Sequence, residues 1–245
     1  MIFGSRRAEP RAHRAASTRE LAVTLAHDVG AELIGACQDR GSATLVLSGG
    51  RTPIPFFEQL RGIAFDWSCL TISLADDRWV DPDSADSNEK LLRDHLLVGA
   101  AARARLVPLK NAAPSAAAGA DLAWNALQAL PRPLDVVILG MGDDGHFASL
   151  FAQSPGVQDA LDPAMSPACV AMTASVQPYE RLSLNLAALL QTRRLILHIT
   201  GEHKWQVYQS ALREAKRNAQ RLPTTLPISA VLAQTQVPLD VYWSP

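Results

Sequence analysis

The sequence has no excess of charge of either sign. Its 245 residues carry 23 Lys and Arg against 24 Asp and Glu, a formal net charge of -1. The missing basic excess argues against nucleic acid as a partner, and the missing acidic excess argues against a disordered chain. Because 48% of the residues are hydrophobic, the chain can bury one large core. Any anion that it binds must be held by a local cluster of cations.

Long apolar segments are also missing. No stretch of ~20 uninterrupted apolar residues occurs, so we expect no membrane-spanning helix and no membrane partner. The opening segment, MIFGSRRAEPRAHRAAS, lacks the apolar core of a secretory signal peptide. Its arginine and alanine content leaves an organellar transit peptide open, but a loosely ordered extension over residues 1–15 fits better. We therefore expect a cytoplasmic protein.

Cysteine is scarce and unpatterned. Cys37, Cys69 and Cys169 are far apart, odd in number and form no C-x-x-C motif. Cys69 lies inside an apolar run, which suits packing better than reactivity. The sequence therefore predicts reduced, buried thiols in a cytosolic protein rather than a nucleophilic cysteine.

Apolar runs alternate with helical patterns along the whole chain. We predict strands over residues 42–47, 69–74, 104–109, 134–140, 168–174, 193–200 and 238–243. We predict helices over residues 17–40, 53–60, 88–97, 115–130, 181–191 and 201–215, and a charged loop over 75–87. This alternation indicates an α/β fold with a mostly parallel sheet flanked by helices. No linker rich in Pro, Gly or Ser divides the chain, so residues 1–245 are predicted to form a single domain.

Four unusual loops directly follow predicted strands. They cover residues 48–52, 75–78, 140–146 and 201–204. Loops at the carboxyl ends of parallel strands emerge at the same edge of the sheet, where ligands bind. We therefore expect their glycines, carboxylates, histidine and cations to meet in space.

The loop SGGRT, residues 48–52, lies between a predicted strand and a predicted helix. Gly49 and Gly50 permit a tight turn that presents backbone N–H groups, and a helix N-terminus follows, which suits an anion. An ordinary strand-to-helix turn fits equally well. The spacing and the lysine of a Walker A loop are absent.

The loop at 75–78 contains Asp76, Asp77 and Arg78. These charges either face solvent, or Arg78 binds a phosphate or carboxylate while an aspartate holds its guanidinium in place. The further aspartates at 81, 83 and 86 superficially suggest calcium, but the frame of a calcium loop with its terminal glutamate is absent. We expect no metal.

The stretch LGMGDDGHFASLF contains G-x-G-x-x-G directly after an apolar run, which is the pattern of a dinucleotide-binding turn. That turn normally follows the first strand, whereas Gly140 follows at least two earlier ones. Asp143 and Asp144 would also face a pyrophosphate with like charge, at a cost of about 1 kcal/mol for each close pair in water. The sequence therefore argues against a dinucleotide cofactor and a dehydrogenase.

Asp144 and His146 instead suit acid–base chemistry. A carboxylate beside an imidazole raises its basicity and selects its tautomer. A capping aspartate next to a structural histidine is the alternative. We interpret His13, His27, His95 and His198 as structural.

Two cations remain ambiguous from the pattern alone. Lys204 falls in the first turn of a predicted helix, where the helix dipole disfavours a cation, so an anionic ligand is one explanation for it. Arg181 precedes the segment LSLNL and has no specific motif around it.

Together these segments resemble the 6-phosphogluconolactonase family. The resemblance rests on LSGGRTP, DDRWV with a following SN, LGMGDDGHFASLF, RLSLN and GEHK, in the order of the family, and extends to the terminal VYW. This family shares a modified Rossmann-like fold with the glucosamine-6-phosphate isomerase/deaminases. The deaminases carry a catalytic glutamate shortly after the Gly-His pair, and this chain has none there. The resemblance therefore favours the lactonases.

The chain also departs from the family pattern. Arg51 stands where the family usually has serine, Asp77 where it has glutamate, and Phe147 where it has threonine, while FAQSPG replaces a compact Phe-Pro-Gly. Arg51 adds a cation near the expected phosphate, and Phe147 changes the wall beside His146. Substrate preference is therefore less firmly implied than reaction type.

The resemblance implies hydrolysis of 6-phospho-D-glucono-1,5-lactone without metal or organic cofactor. His146 would be the general base and Asp144 would orient it. The expected substrate-binding residues are Ser48, Gly49, Gly50, Arg51, Thr52, Asp76, Arg78, Arg181 and Lys204. An aminosugar-phosphate isomerase/deaminase and a non-catalytic sugar-phosphate sensor are the alternatives. The expected partner is the small-molecule lactone, and the expected state is a monomer or a small homo-oligomer.

Overall fold

A seven-stranded parallel sheet forms the centre of the fold. The structure is a computed structural model, and it describes residues 9–217 and 225–245. The strands are β1 (Arg11–Arg14), β2 (Ala43–Leu47), β3 (Leu70–Leu74), β4 (Asp76–Arg78), β5 (Arg105–Val107), β6 (Leu134–Leu139), β7 (Cys169–Thr173), β8 (Glu180–Leu184), β9 (Thr192–Thr200) and β10 (Leu239–Ser244). The main sheet has the order β1-β10-β9-β6-β2-β3-β5, and β4-β8-β7 form a small antiparallel sheet.

The connections between the strands are mostly helical. The helices are α1 (Thr18–Arg40), α2 (Ile54–Leu60), α3 (Asn88–His95), α4 (Ala116–Gln128), α5 (Val157–Leu161), α6 (Leu186–Leu189), α7 (Glu202–Arg217) and α8 (Ile228–Ala233), with short 3-10 turns at Trp67–Cys69 and Gly99–Arg103. Parallel neighbours joined by helices confirm the predicted α/β fold with a mostly parallel sheet flanked by helices.

Local signals explain where α1 begins and ends. The Ser17 hydroxyl accepts a hydrogen bond from the backbone N–H of Glu20, at 3.2 Å. At the other end Gly41 has a φ of 71°, and its N–H donates to the carbonyl of Cys37. A side-chain cap at the start and a left-handed glycine at the end satisfy orphaned backbone groups of the helix.

The middle of the sheet is fully buried. Every residue of β2 and of β6 is buried, which is why their sequences are continuous apolar runs without alternation. The register pairs Leu47 with Leu74 and with Ile138, and Leu139 with Leu197. The carboxyl ends of β2, β3 and β6 are therefore level, so the loops that follow them emerge side by side.

Two predicted elements in the middle of the chain are wrong. Residues 181–184 belong to strand β8 rather than to a helix, and the helix starts only at Leu186, where the Asn185 side chain accepts from the N–H of Ala188. Residues 76–78, predicted to lie in a loop, form β4 and pair antiparallel with β8. The pairing of distant segments overrode the local pattern in both places.

The predicted N-terminal extension over residues 1–15 is wrong in part. Residues 1–8 lie outside the described residues. Arg11–Arg14, however, form β1 and pair parallel with β10 at the edge of the main sheet. His13 stacks on Tyr242 with ring centroids 4.2 Å apart, so this segment packs on its neighbour.

The prediction of three reduced thiols is wrong for two of them. Cys37 and Cys69 form a disulfide, because the last turn of α1 and the 3-10 turn before β3 bring their Cα atoms to 6.1 Å. Cys169 is a free thiol and buried, as predicted, and burial raises its pKa to about 12. None of the helices in the described ranges is long and apolar enough to cross a membrane.

Candidate active site

A cleft of ≈ 440 Å³ opens at the carboxyl edge of the main sheet. The loops that follow β2, β3, β6 and β9 all contribute to it, so residues far apart in sequence meet as expected. Its lining includes Ser48, Gly49, Gly50, Arg51, Thr52, Asp76, Arg78, His146 and Lys204. These are nine of the predicted site residues. The remaining two are not part of the lining, since Asp144 is exposed to solvent and Arg181 is buried.

His146 is held by Asp144. Its Nδ1 lies 2.5 Å from Asp144 Oδ1, and its backbone N–H donates to the same oxygen at 3.2 Å. This hydrogen bond lowers the pKa of Asp144, so the carboxylate stays ionised beside the ring. Phe151 packs against the imidazole at 4.4 Å between centroids. With Nδ1 bonded to a carboxylate, Nε2 is the nitrogen that can take a proton.

Two glycines allow the turn that places this pair. A Cβ on Gly142 would lie 2.2 Å from Nδ1 and Cε1 of His146, closer than any real contact. Gly145 has a φ of 76°, which favours glycine, and a Cβ there would also meet Leu226 at 2.9 Å. The glycines that resemble a nucleotide fingerprint therefore serve to seat a histidine.

The loop at 48–52 approaches the side chain of Asn88. A Cβ on Gly49 would lie 1.9 Å from the Asn88 amide oxygen, and Gly50 has a φ of 91°. The Asn88 Nδ2 donates to the backbone carbonyl of Asp76 at 2.9 Å. Asn88 therefore lines the cleft and lies between the segments that contain Gly49 and Asp76. The sequence marks it only as part of a helix start and of the SN motif.

The two neighbouring aspartates have different roles. Asp76 is buried at the cleft and its Oδ2 accepts from the Ser149 hydroxyl at 2.6 Å, while burial raises its pKa. Asp77 accepts the backbone N–H groups of Asn88, at 2.7 Å, and Glu89, at 3.2 Å, which caps α3. Burial raises the pKa of Asp77 to about 6. Ser149 is absent from the predicted site residues, because a serine in GHFASLF carries no distinguishing local signal.

The predicted cations fall into two groups. Arg51, Arg78 and Lys204 line the cleft. Arg78 also donates to the carbonyl of Asp86 at 2.5 Å, which holds its guanidinium. Arg181 pairs with Arg78 across β8 and β4 and is buried outside the cleft lining; its pKa is lowered by burial and then by the Arg78 charge.

His198, which the sequence indicates to be structural, lines the cleft. It is buried, and neither ring nitrogen has a hydrogen-bond partner among the described residues. Burial, followed by the charge of Lys204, lowers its pKa to about 4. The sequence did not indicate a place for His198 in the cleft, because a histidine within an apolar strand is usually a packing residue.

Within the described ranges, no group of three or more His, Cys, Asp or Glu side chains is arranged to hold a metal ion. The arrangement combines a histidine bonded to a carboxylate, cations that line the cleft and backbone N–H groups at sharp turns. Such a set suits an anionic substrate with an electrophilic carbonyl.

Comparison with known proteins identifies the family. The family model for glucosamine-6-phosphate isomerases/6-phosphogluconolactonase matches residues 16–243. The chain belongs to this family. It is 45% identical over 233 residues to the 6-phosphogluconolactonase of Pseudomonas putida, covering 95% of this chain and 92% of that protein. It is 43% identical over 229 residues to the 6-phosphogluconolactonase of Pseudomonas aeruginosa, covering 94% of this chain and 92% of that protein.

A solved structure supports the same assignment. The crystal structure of a 6-phosphogluconolactonase from Shewanella baltica matches this family member with a TM-score of 0.90 and 40% identity, covering 98% of this chain and 99% of that one. The resemblance stated from the sequence is thereby confirmed at the level of the family and of the fold.

Proposed function

We propose that the chain hydrolyses 6-phospho-D-glucono-1,5-lactone to 6-phospho-D-gluconate, a step of the oxidative pentose phosphate pathway. The observation that carries the proposal is the His146–Asp144 pair, joined at 2.5 Å at the side of a cleft that Arg51, Arg78 and Lys204 also line. The relatives that are 43–45% identical over most of the chain carry the name 6-phosphogluconolactonase.

His146 acts as the general base in this proposal. Its Nε2 takes a proton from water as the water oxygen forms a bond to the lactone carbonyl carbon. Asp144 stabilises the resulting imidazolium, since its carboxylate is ionised and bonded to Nδ1. The tetrahedral oxyanion then collapses, the bond to the ring oxygen breaks, and His146 returns the proton to that leaving oxygen.

The loops around the base bind and polarise the substrate. Arg51 and Lys204 supply charge for the phosphate, and Arg78, positioned by Asp86, holds the phosphate or the developing carboxylate. Backbone N–H groups of Gly49 and Gly50 are the proposed oxyanion donors. Thr52 and Asp76 complete the binding surface, while Arg181 lies next to Arg78 as its register partner across β8 and β4 and adds positive charge beside it.

Ser48 is assigned to binding and not to nucleophilic attack. It lines the cleft, but its surroundings lack the G-x-S-x-G turn of serine hydrolases. A lactone is an activated ester, so one base without a covalent intermediate is chemically sufficient.

We further propose that the chain works in the cytoplasm, as a monomer or a small homo-oligomer, because its proposed substrate is a charged metabolite. The Cys37–Cys69 disulfide is more typical of an oxidising compartment. Fractionation of the source cells and light scattering of the purified protein test the two statements. Recovery outside the cytoplasm would contradict the first.

The proposed reaction is tested with freshly prepared 6-phosphogluconolactone, corrected for spontaneous hydrolysis. His146→Ala should lower the enzymatic rate by at least about 100-fold, the usual contribution of a general base, while binding of 6-phosphogluconate survives. His27→Ala, which changes an exposed histidine of α1, is the matched control and should retain full activity.

Three results would overturn the proposal. Retained activity in His146→Ala would remove the base. Release of ammonia from glucosamine 6-phosphate would make the chain a deaminase. Tight binding of sugar phosphates without turnover by the wild-type protein would make it a sensor.

A further inference from the structure

His198 lines the cleft from a strand of the main sheet. It is on β9, one position beyond the Leu139–Leu197 pair, and its ring lines the same cleft as His146 and Lys204. Its exposed fraction is 3%. Neither ring nitrogen has a hydrogen-bond partner in the part of the chain that the structure describes. A buried donor and acceptor without partners cost free energy, because burial removes their water and nothing replaces it.

His13 shows how a histidine is accommodated elsewhere in this sheet. Its ring stacks on Tyr242, and its Nε2 lies 2.9 Å from Asp240 Oδ1. His198, the register neighbour of Tyr242 on β9, instead packs edge-on against Phe56 at 6.2 Å. That contact satisfies neither nitrogen. Packing alone therefore gives no reason for a histidine where an apolar side chain would fill the same space.

The charge state of His198 limits what it can bind. Its pKa is lowered to about 4 by burial and then by the Lys204 charge, so the ring is neutral at pH 7. A neutral imidazole has one N–H donor and one acceptor. Phosphate oxygens are acceptors for such a donor, and Lys204 lines the same cleft. The N–H of His198 would donate a directional hydrogen bond to a phosphate oxygen, while Lys204 would attract the phosphate by its charge.

Ser48 is a second buried polar group at the same cleft. Its Oγ also lacks a hydrogen-bond partner among the described residues, and it follows β2, which β6 separates from β9. Two such groups, one on β9 and one directly after β2, both line one cleft, which indicates that a polar ligand supplies their missing hydrogen bonds.

We propose that His198 is a substrate-binding residue that donates a hydrogen bond to the phosphate of the bound sugar phosphate and thereby fixes how deeply the substrate enters the cleft. The proposal rests on the proposed sugar-phosphate substrate. It adds a residue from a strand of the main sheet to the proposed binding residues.

The test removes the ring nitrogens and keeps the ring. His198→Phe should raise KM for the lactone and Kd for 6-phosphogluconate by about 10-fold or more, with kcat within about threefold of wild type, because a bond to a charged group is lost. His198→Gln, which restores an N–H donor, should recover part of this loss. His13→Phe, which alters a histidine outside the cleft, is the matched control and should leave both constants unchanged.

Inorganic phosphate separates the phosphate contact from a contact to the sugar. Its inhibition constant should rise in His198→Phe in parallel with Kd for 6-phosphogluconate. A phosphate inhibition constant within about twofold of wild type in a folded His198→Phe protein would overturn the proposal, because loss of a hydrogen bond to a charged group should weaken binding by more than that.

A measurement on the wild-type protein covers the case in which the variants do not fold. With ¹⁵N-labelled histidine, 6-phosphogluconate should shift the ring N–H resonance of His198, and gluconate should not. No shift at saturation would overturn the contact. A wild-type protein that shows the shift but does not hydrolyse the lactone would refute the proposed reaction alone, and hydrolysis without the shift would refute this contact alone.

Discussion

Gly142 shows how one missing side chain determines the geometry of the cleft. The His146 ring occupies the space where a Cβ on Gly142 would project, and Asp144 Oδ1 lies only 2.7 Å from that position. The N–H of Gly142 also donates to the carbonyl of His146 at 2.8 Å, which closes the turn. The Asp144–His146 contact therefore depends on glycine at 142.

Gly142→Ala should displace the ring of His146, the proposed base, and lower kcat by about 10- to 100-fold, since a small misplacement of a reacting group has an effect of this size. The measurement is kcat together with the melting temperature, which separates misplacement from unfolding. Gly35→Ala is the control, because a Cβ there meets nothing within 4 Å and α1 is outside the cleft. Full activity in Gly142→Ala would show that the ring position is not decisive.

At the scale of elements, the boundary between β8 and α6 shows what local patterns miss. Residues 181–191 are rich in leucine at spacings that also fit a helix. Asn185 divides them: the residues before it pair with β4 and β7, and its side chain caps the helix after it. Most strands and helices are predicted from their own sequences. This boundary instead depends on the strands that β8 pairs with, one of which, β4, lies about a hundred residues earlier in the chain.

The start of α3 depends on a buried carboxylate, which couples this element to pH. The pKa of Asp77 is about 6 in the folded state against an ordinary value of 3.8, so the folded state holds the extra proton between these values. Stability from this group therefore falls as pH rises from about 4 to 6. His198 acts in the opposite direction, since its pKa is about 4 when folded and 6.5 otherwise. The two contributions therefore oppose each other between about pH 4 and 6.

Asp77→Asn should remove the pH dependence due to Asp77 and leave that due to His198. The free energy of unfolding should then increase with pH more steeply than in wild type, by about 1 kcal/mol per pH unit between pH 4 and 6. Urea unfolding at several pH values measures this slope. Asp121→Asn, an exposed aspartate of α4, is the control. Identical slopes for Asp77→Asn and wild type would contradict the assigned pKa of the carboxyl group.

At the scale of the whole molecule, the cleft and the disulfide lie at opposite edges of the main sheet. The cleft follows the carboxyl ends of the strands, whereas Cys37 lies in the last turn of α1 and Cys69 precedes β3, at the amino edge. The disulfide closes a loop with a sequence separation of 32 residues. Its main effect is therefore on the unfolded chain and not on the site.

Replacing both Cys37 and Cys69 by serine should lower the free energy of unfolding by about 3–4 kcal/mol, the loop-closure entropy of a loop of this length. The value of kcat/KM should stay unchanged, because neither residue approaches the cleft. Chemical unfolding with and without reductant measures the effect, and reductant should not affect the double variant. Loss of activity on reduction at a temperature where the protein stays folded would contradict the separation of the two edges.

The sequence by itself determined the alternation of strands and helices, the meeting of four loops at one sheet edge and the Asp144–His146 pair. These follow from local periodicity, turn residues and short spacings, together with the rule that loops after parallel strands emerge at one edge of the sheet. Only the tertiary structure decided the second sheet, the strand at Arg11–Arg14, the Cys37–Cys69 disulfide and the place of His198 in the cleft. Each of these depends on contacts between distant segments, and the energy of such contacts is not encoded in the pattern of either segment alone.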